Sequence, residues 1–155
     1  MALQVGEQAP DFTLFNTEKQ EITLSSFKGK NVVVLFFPLA FTGVCTAELC
    51  EMRDNIATYS NLNAEILAIS VDSPFSLGKF KAEQNLPFNL LSDFNKEVAT
   101  AYDSLYETFV LGMRGVAKRS AFVVDAEGVI RYAEVLESAG SVPNFVAVKE
   151  TLAGL

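Results

Sequence analysis

The sequence predicts an α/β layer structure, with strands and helices alternating along the chain. Three observations carry this. Val32–Phe37 (VVVLFF) is an unbroken apolar run with no polar face, the mark of a strand covered on both sides. Ile66–Val71 (ILAISV) is a second such run. Between them Cys45, Leu49, Met52, Ile56 and Tyr59 recur at spacings of 4, 3, 4 and 3, which predicts a helix over Thr46–Ser60. Strand, helix and strand in that order imply a parallel pair in a sheet.

The remaining elements follow in order. Pro10–Phe15 and Glu21–Leu24 alternate apolar and polar residues about the Asn16–Gln20 turn and predict a hairpin. Ser25–Phe27 reads as a helical turn stopped by Gly29. Val32–Phe37 is the expected central strand, and Pro38 ends its ladder by removing a donor. After Ile66–Val71, Asp72 or Ser73 can cap a helix with Pro74 in its first turn, running to about Asn85. Phe88–Leu91 reads as a short strand, and Val98, Ala101, Tyr102 and Leu105 as one helical face. Asp103–Arg119 is irregular yet apolar at Phe109, Val110, Leu111 and Met113. Ala121–Val124 and Val129–Val135 pair about the Asp125–Gly128 turn, and Ser141-Val142-Pro143 opens a last helix facing inward through Phe145, Val148 and Leu152. Repeats and linkers are absent, so one domain over residues 1–155 is expected.

Composition narrows the function. The chain is 50% hydrophobic and 20% charged, which is incompatible with disorder. A net charge of −7, with basic residues scattered, argues against nucleic acid and anionic membrane as partners. No apolar stretch approaches the ~20 residues of a spanning helix. The opening MALQVGEQAPDF has neither a basic n-region nor an apolar h-region, so a cytoplasmic location is expected. Two cysteines in such a chain do not suggest a structural staple. With no histidine, Ser-His and Cys-His catalysis and most zinc or non-haem iron sites are ruled out, and no metal or cofactor is expected.

Cys45 then stands out. In a helix's first turn it meets the positive end of the macrodipole and unpaired N–H groups, which favour the reactive thiolate. The competing reading is a small hydrophobe on the helix's buried face.

The stretch Pro38-Leu39-Ala40-Phe41-Thr42-Gly43-Val44-Cys45-Thr46-Ala47-Glu48 resembles the peroxiredoxin signature: a Pro, a Thr four later, a Cys three after that, then Glu. Gly115–Asp125 (GVAKRSAFVVD) resembles the segment carrying that family's active-site arginine, and Gly6–Phe12 (GEQAPDF) and Asp125–Arg131 (DAEGVIR) also fit. The likeness covers nearly the whole chain. It implies a thioredoxin-like fold with an N-terminal hairpin extension and a central mixed sheet flanked by helices. The wording PLAFTGVC is most similar to the E-type alkyl hydroperoxide reductases, whereas Cys50, five residues after Cys45, resembles the Q-type, or bacterioferritin-comigratory, class.

The resemblance implies a thiol peroxidase acting on hydrogen peroxide and organic hydroperoxides. Cys45 would be the thiolate that becomes a sulfenic acid, and Arg119 the guanidinium near sulfur and peroxide. Thr42 would hold sulfur and peroxide in line, Pro38 shield the site, and Glu48 orient Arg119. Cys50 would resolve Cys45 as a disulfide. In an intact helix, however, residues five apart have Cα atoms about 8.6 Å apart, beyond the roughly 7 Å a disulfide spans. Closure therefore requires the first turns to unwind. A one-cysteine enzyme resolved by an external thiol, and a non-enzymatic peroxide sensor, remain the alternatives; C-x-x-x-x-C does not suit a C-x-x-C disulfide exchanger. The implied partners are a peroxide, a thioredoxin- or glutaredoxin-like reductant, and a second copy in a homodimer packed through the loops around the site.

Overall fold

Turn chemistry shapes the start of the chain. The Asn16 carboxamide oxygen accepts the N–H groups of Glu18 and Gln20, at 2.9 and 3.0 Å, and so turns β1 (Thr13–Asn16) back onto β2 (Glu21–Thr23). This is the expected hairpin, and a 3-10 turn over Leu24–Phe27 follows it. The computed structural model describes residues 3–155; Met1 and Ala2 lie outside it.

Every residue of β3 (Asn31–Phe36) is buried, as its unbroken apolar run requires. Then come α1 (Gly43–Asp54), α2 (Ile56–Asn61), β4 (Ala64–Ser70), α3 (Pro74–Gln84), β5 (Asn89–Ser92) and α4 (Glu97–Ala101). The chain closes with β6 (Ser120–Val124), β7 (Ile130–Val135) and α5 (Phe145–Ala153). The seven strands form one mixed sheet in the order β2-β1-β5-β4-β3-β6-β7. β3, β4 and β5 run parallel, while β6, β7, β1 and β2 are antiparallel to their neighbours. β3 is interior, between β4 and β6; the middle position belongs to β4.

Alternation along β3 divides the core in two. Val33, Leu35 and Phe37 face one side with Cys45, Leu49, Met52, Leu77, Phe80, Val148 and Leu152. Val32, Val34 and Phe36 face the other, with Leu24, Val98, Tyr102 and Phe122. Burying a large apolar side chain contributes about 1.5–3 kcal/mol, so β3 joins both halves of the core.

Three local expectations need correction. The predicted Thr46–Ser60 helix is two helices, broken at Asn55 (φ −109°, ψ 16°). There the Asn55 side chain donates to the Glu51 carbonyl at 2.8 Å and competes with the helical ladder. On α4 it is Ala99, not Ala101, that turns inward. The buried Asp93 carboxylate accepts the N–H groups of Val98 and Ala99, at 3.1 and 2.7 Å, and directs that first turn into the core. α5 starts after Pro143, with Asn144 as its cap, accepting the Ala147 N–H at 3.0 Å. On α3, of the two expected caps it is Ser73 that accepts the Ser76 N–H, and Asp72 is left for another task.

Candidate active site

Three stretches converge at the C-terminal end of β3, the edge at which parallel strands place their sites. After Phe36 the chain turns through Pro38, which is buried, to Thr42, the N-cap of α1. Phe41 makes this turn in the left-handed region (φ 68°), its ring edge-on to Phe80 at 5.1 Å between centroids. Asp72, just past β4, anchors the loop: its Oδ2 accepts the Ala40 N–H at 2.8 Å and the Ser70 hydroxyl at 2.7 Å. The first helical bond runs from Thr46 N to Thr42 O. The N–H groups of Gly43, Val44 and Cys45 thus form the helix's open, positive end.

Cys45 lies in that first turn and its side chain is fully buried. Antiparallel pairing of β3 with β6, Phe36 opposite Ser120, brings Arg119 to the same end of the sheet. The Arg119 side chain is only 2% exposed, and its donors fan out to three groups. Nη2 donates to Cys45 Sγ at 3.2 Å, Nη1 to Glu48 Oε1 at 2.6 Å, and Nε and Nη2 to the Ala139 carbonyl at 3.1 and 2.9 Å. An arginine N–H only donates, so the Cys45 sulfur is the acceptor in this contact.

Glu48 sits one helical turn after Cys45 on the same buried face of α1. Burial pushes its carboxyl up to about 7, against the opposing pull of the Arg119 charge. Its second oxygen, Oε2, has no hydrogen-bond partner. Burial weakens the protonation of Arg119, but Cys45 and Glu48 outweigh it and hold the guanidinium firmly charged.

The structure therefore brings together Cys45, Glu48 and Arg119, with Thr42 and Pro38 on the adjoining loop. The Thr42 hydroxyl donates to the Leu39 carbonyl at 2.8 Å rather than to sulfur. Cys50 lies apart: it is half-buried on the other side of α1, and its Sγ donates to Gln84 Oε1 at 3.3 Å. Both thiols are free. Sequence reasoning missed the role of Asp72, which it offered beside Ser73 as a helix cap, and Ala139, whose contribution is a backbone carbonyl that carries no side-chain signal. Two surface hollows contain none of these residues: about 490 Å³ beside Phe15, Phe75 and Phe94, and about 280 Å³ beside Leu24, Phe27 and Val32. Among the described residues no helix is long and apolar enough to cross a membrane.

The seven-strand sheet with its flanking helices is shared with solved structures. The crystal structure of Peroxidoxin BcpB from Mycobacterium tuberculosis matches with a TM-score of 0.86 and 26% identity, covering 99% of this chain and 98% of that one. The AhpC/TSA family model matches residues 5–133, and the chain belongs to that family: it is a peroxiredoxin, a thiol-dependent hydroperoxide reductase. Alkyl hydroperoxide reductase E of Mycobacterium tuberculosis is 43% identical over 136 residues, 86% of each chain. Peroxiredoxin Bcp of Bacillus subtilis is 38% identical over 130 residues, covering 83% of this chain and 82% of the relative. The expected thioredoxin-like fold and the mixed E-type and Q-type likeness are both upheld.

Proposed function

We propose that Cys45 is the residue that reduces the peroxide, in a cycle resolved by Cys50. The observation that carries this is the Arg119 Nη2 to Cys45 Sγ contact of 3.2 Å, braced by Glu48 and Ala139. The Cys45 thiolate attacks the nearer oxygen of ROOH, the O–O bond breaks, and the departing RO⁻ takes a proton to leave as ROH, giving Cys45–SOH. Charge moves from sulfur to the leaving oxygen. A guanidinium fixed by three acceptors, with the open N–H groups of α1, is preorganised to follow it. The Thr42 hydroxyl spends its one proton on Leu39, so its oxygen offers only lone pairs, which suits the single O–H of a hydroperoxide. Glu48 and Ala139 hold the arginine plane; Pro38 keeps bulk water from the sulfur.

Cys50 then condenses with Cys45–SOH, releasing water and forming the disulfide, and an external thioredoxin- or glutaredoxin-like dithiol reduces it. Both cysteines lie on the unbroken α1, so the bond requires that helix to open. A cytoplasmic location suits a cycle that consumes thiols. A homodimer packed through the loops near the site is supported by Phe41, Val110 and Leu111, which are exposed, Leu111 by 94%. Phe109 and Met113 of the same segment are half-buried, Phe109 stacked on Tyr106.

The test is peptide mapping under non-reducing conditions after a peroxide pulse. Wild type should carry a Cys45–Cys50 disulfide, Cys45→Ser should consume no peroxide, and Cys50→Ser should accumulate sulfenic, then sulfinic acid at Cys45. Equal over-oxidation of wild type and Cys50→Ser, with no internal disulfide, would instead identify a one-cysteine enzyme.

A further inference from the structure

The contacts around Cys50 restrain the segment that has to move. α1 ends at Asn55, so its unwinding need not spread into α2. On the buried side α1 is held by Leu49 and Met52 in the core and by the bonds of Arg119 to Cys45 and Glu48. On the other side it is hydrogen-bonded to the last residue of α3. Gln84 Oε1 accepts the Cys50 S–H at 3.3 Å, and the Gln84 carbonyl accepts Arg53 Nη1 at 2.6 Å. That carbonyl lies at the C-terminal end of α3, where Asn85 turns left-handed (φ 53°), leaving it open to an outside donor.

We propose that Gln84 is a positioning residue for the resolving step, a latch that holds Cys50 in the closed helix and sets how readily Cys45–SOH is resolved. This rests on the reading of Cys50 as the resolving cysteine. In the closed helix the Cys50 thiol is bonded outward to α3 and cannot reach Cys45. For the disulfide to form, its S–H must leave Gln84 and lose its proton, and the thiolate must displace hydroxide from Cys45–SOH; proton and hydroxide leave as water. While the latch holds, Cys45–SOH waits, and a second peroxide can oxidise it to sulfinic acid. The Arg53 bond uses backbone oxygen and survives side-chain substitution, so changes at Gln84 act on the Cys50 bond alone.

The experiment pulses reduced protein with hydrogen peroxide, quenches with an alkylating agent, and quantifies disulfide and sulfinic acid against time and peroxide concentration. Gln84→Met keeps length and loses the acceptor. One weak hydrogen bond corresponds to about two- to five-fold, so disulfide formation should quicken and the peroxide concentration for half over-oxidation should rise by that factor. Gln84→Glu keeps an oxygen at the same reach and should return both to wild-type values or below. In a Cys50→Ser background, Gln84→Met should leave over-oxidation unchanged, which a general loosening of the fold would not do. Unchanged or slower disulfide formation in Gln84→Met overturns the latch and leaves Cys50 as resolver. Absence of any Cys45–Cys50 disulfide in wild type overturns the resolving role itself, and the latch with it.

Discussion

Replacing Arg119 with lysine separates the charge of the site from its geometry. The positive charge is kept, so Glu48 is not abandoned in the core, a loss that costs about 3–5 kcal/mol when a buried pair is broken. What disappears is the planar fork. Arg119 reaches Cys45 Sγ, Glu48 Oε1 and the Ala139 carbonyl with separate nitrogens, at 3.2, 2.6 and 2.9–3.1 Å. A single ammonium cannot occupy all those donor positions, and the carboxylate is the stronger attractor. Lysine should therefore collapse onto Glu48 and leave the sulfur without its donor. Loss of one preorganised donor costs about 10²–10³ in rate, on the order of 3–4 kcal/mol of transition-state stabilisation. Since the chain has no tryptophan, oxidation is best followed by rapid quench and mass spectrometry, in a Cys50→Ser background that keeps the oxygenated sulfur. A second-order rate for Arg119→Lys less than ten-fold below its parent would refute the directional role of the guanidinium and leave only a role for charge.

Glu48 carries a pH signature. The folded protein holds its proton more tightly than the unfolded chain, with the carboxyl at about 7 against an ordinary 4.5, so the group favours folding at low pH and this contribution is lost as pH rises between those values. The span corresponds to on the order of 3 kcal/mol, and Glu48→Gln, which cannot ionise, should gain relative stability across it; parallel urea midpoints for the two proteins at acid and neutral pH would contradict this. Asp72→Ala removes the acceptor for the Ala40 N–H and the Ser70 hydroxyl, and should cost about 1–3 kcal/mol by urea unfolding and slow peroxide reduction by loosening the loop before Cys45. An unchanged rate would show that the loop holds itself. Leu111→Glu places a charge on the most exposed apolar side chain, and should shift a dimer towards monomer in sedimentation velocity at micromolar protein; a monomeric wild type would dismiss the assembly.

Much of this site was legible because its logic is local. Thr42, Cys45 and Glu48 lie within one loop and one helical turn, so their spacing fixes their relation. Arg119 is 74 residues from Cys45. Only the family resemblance reached it, since no periodicity shows that the residue before β6 lands beside the end of β3. The break at Asn55 escaped because the apolar spacing continues through it to Tyr59, while the interruption comes from a side chain bonding to its own backbone. Asp72 and Ser73 both suit a cap before Pro74; Ser73 takes that place, and the role of Asp72 comes from a distant loop that no local pattern shows.

The complete burial of Cys45 has a consequence for the traffic through this protein. A sulfur so enclosed is closed to the face of another protein, and even a small peroxide touches it only when the loop beside it gives way. On the proposed cycle the fold works as a one-way valve for electrons: they leave for a small oxidant after a slight local movement, but are replaced only after the helix has opened. The speed of defence is then set by chemistry at the sulfur, and the speed of recovery by the stability of a few turns of helix. Strengthening α1 should therefore make a protein that reacts as fast as before and recovers more slowly, so that robustness of fold and endurance under oxidation are opposed in the same twelve residues.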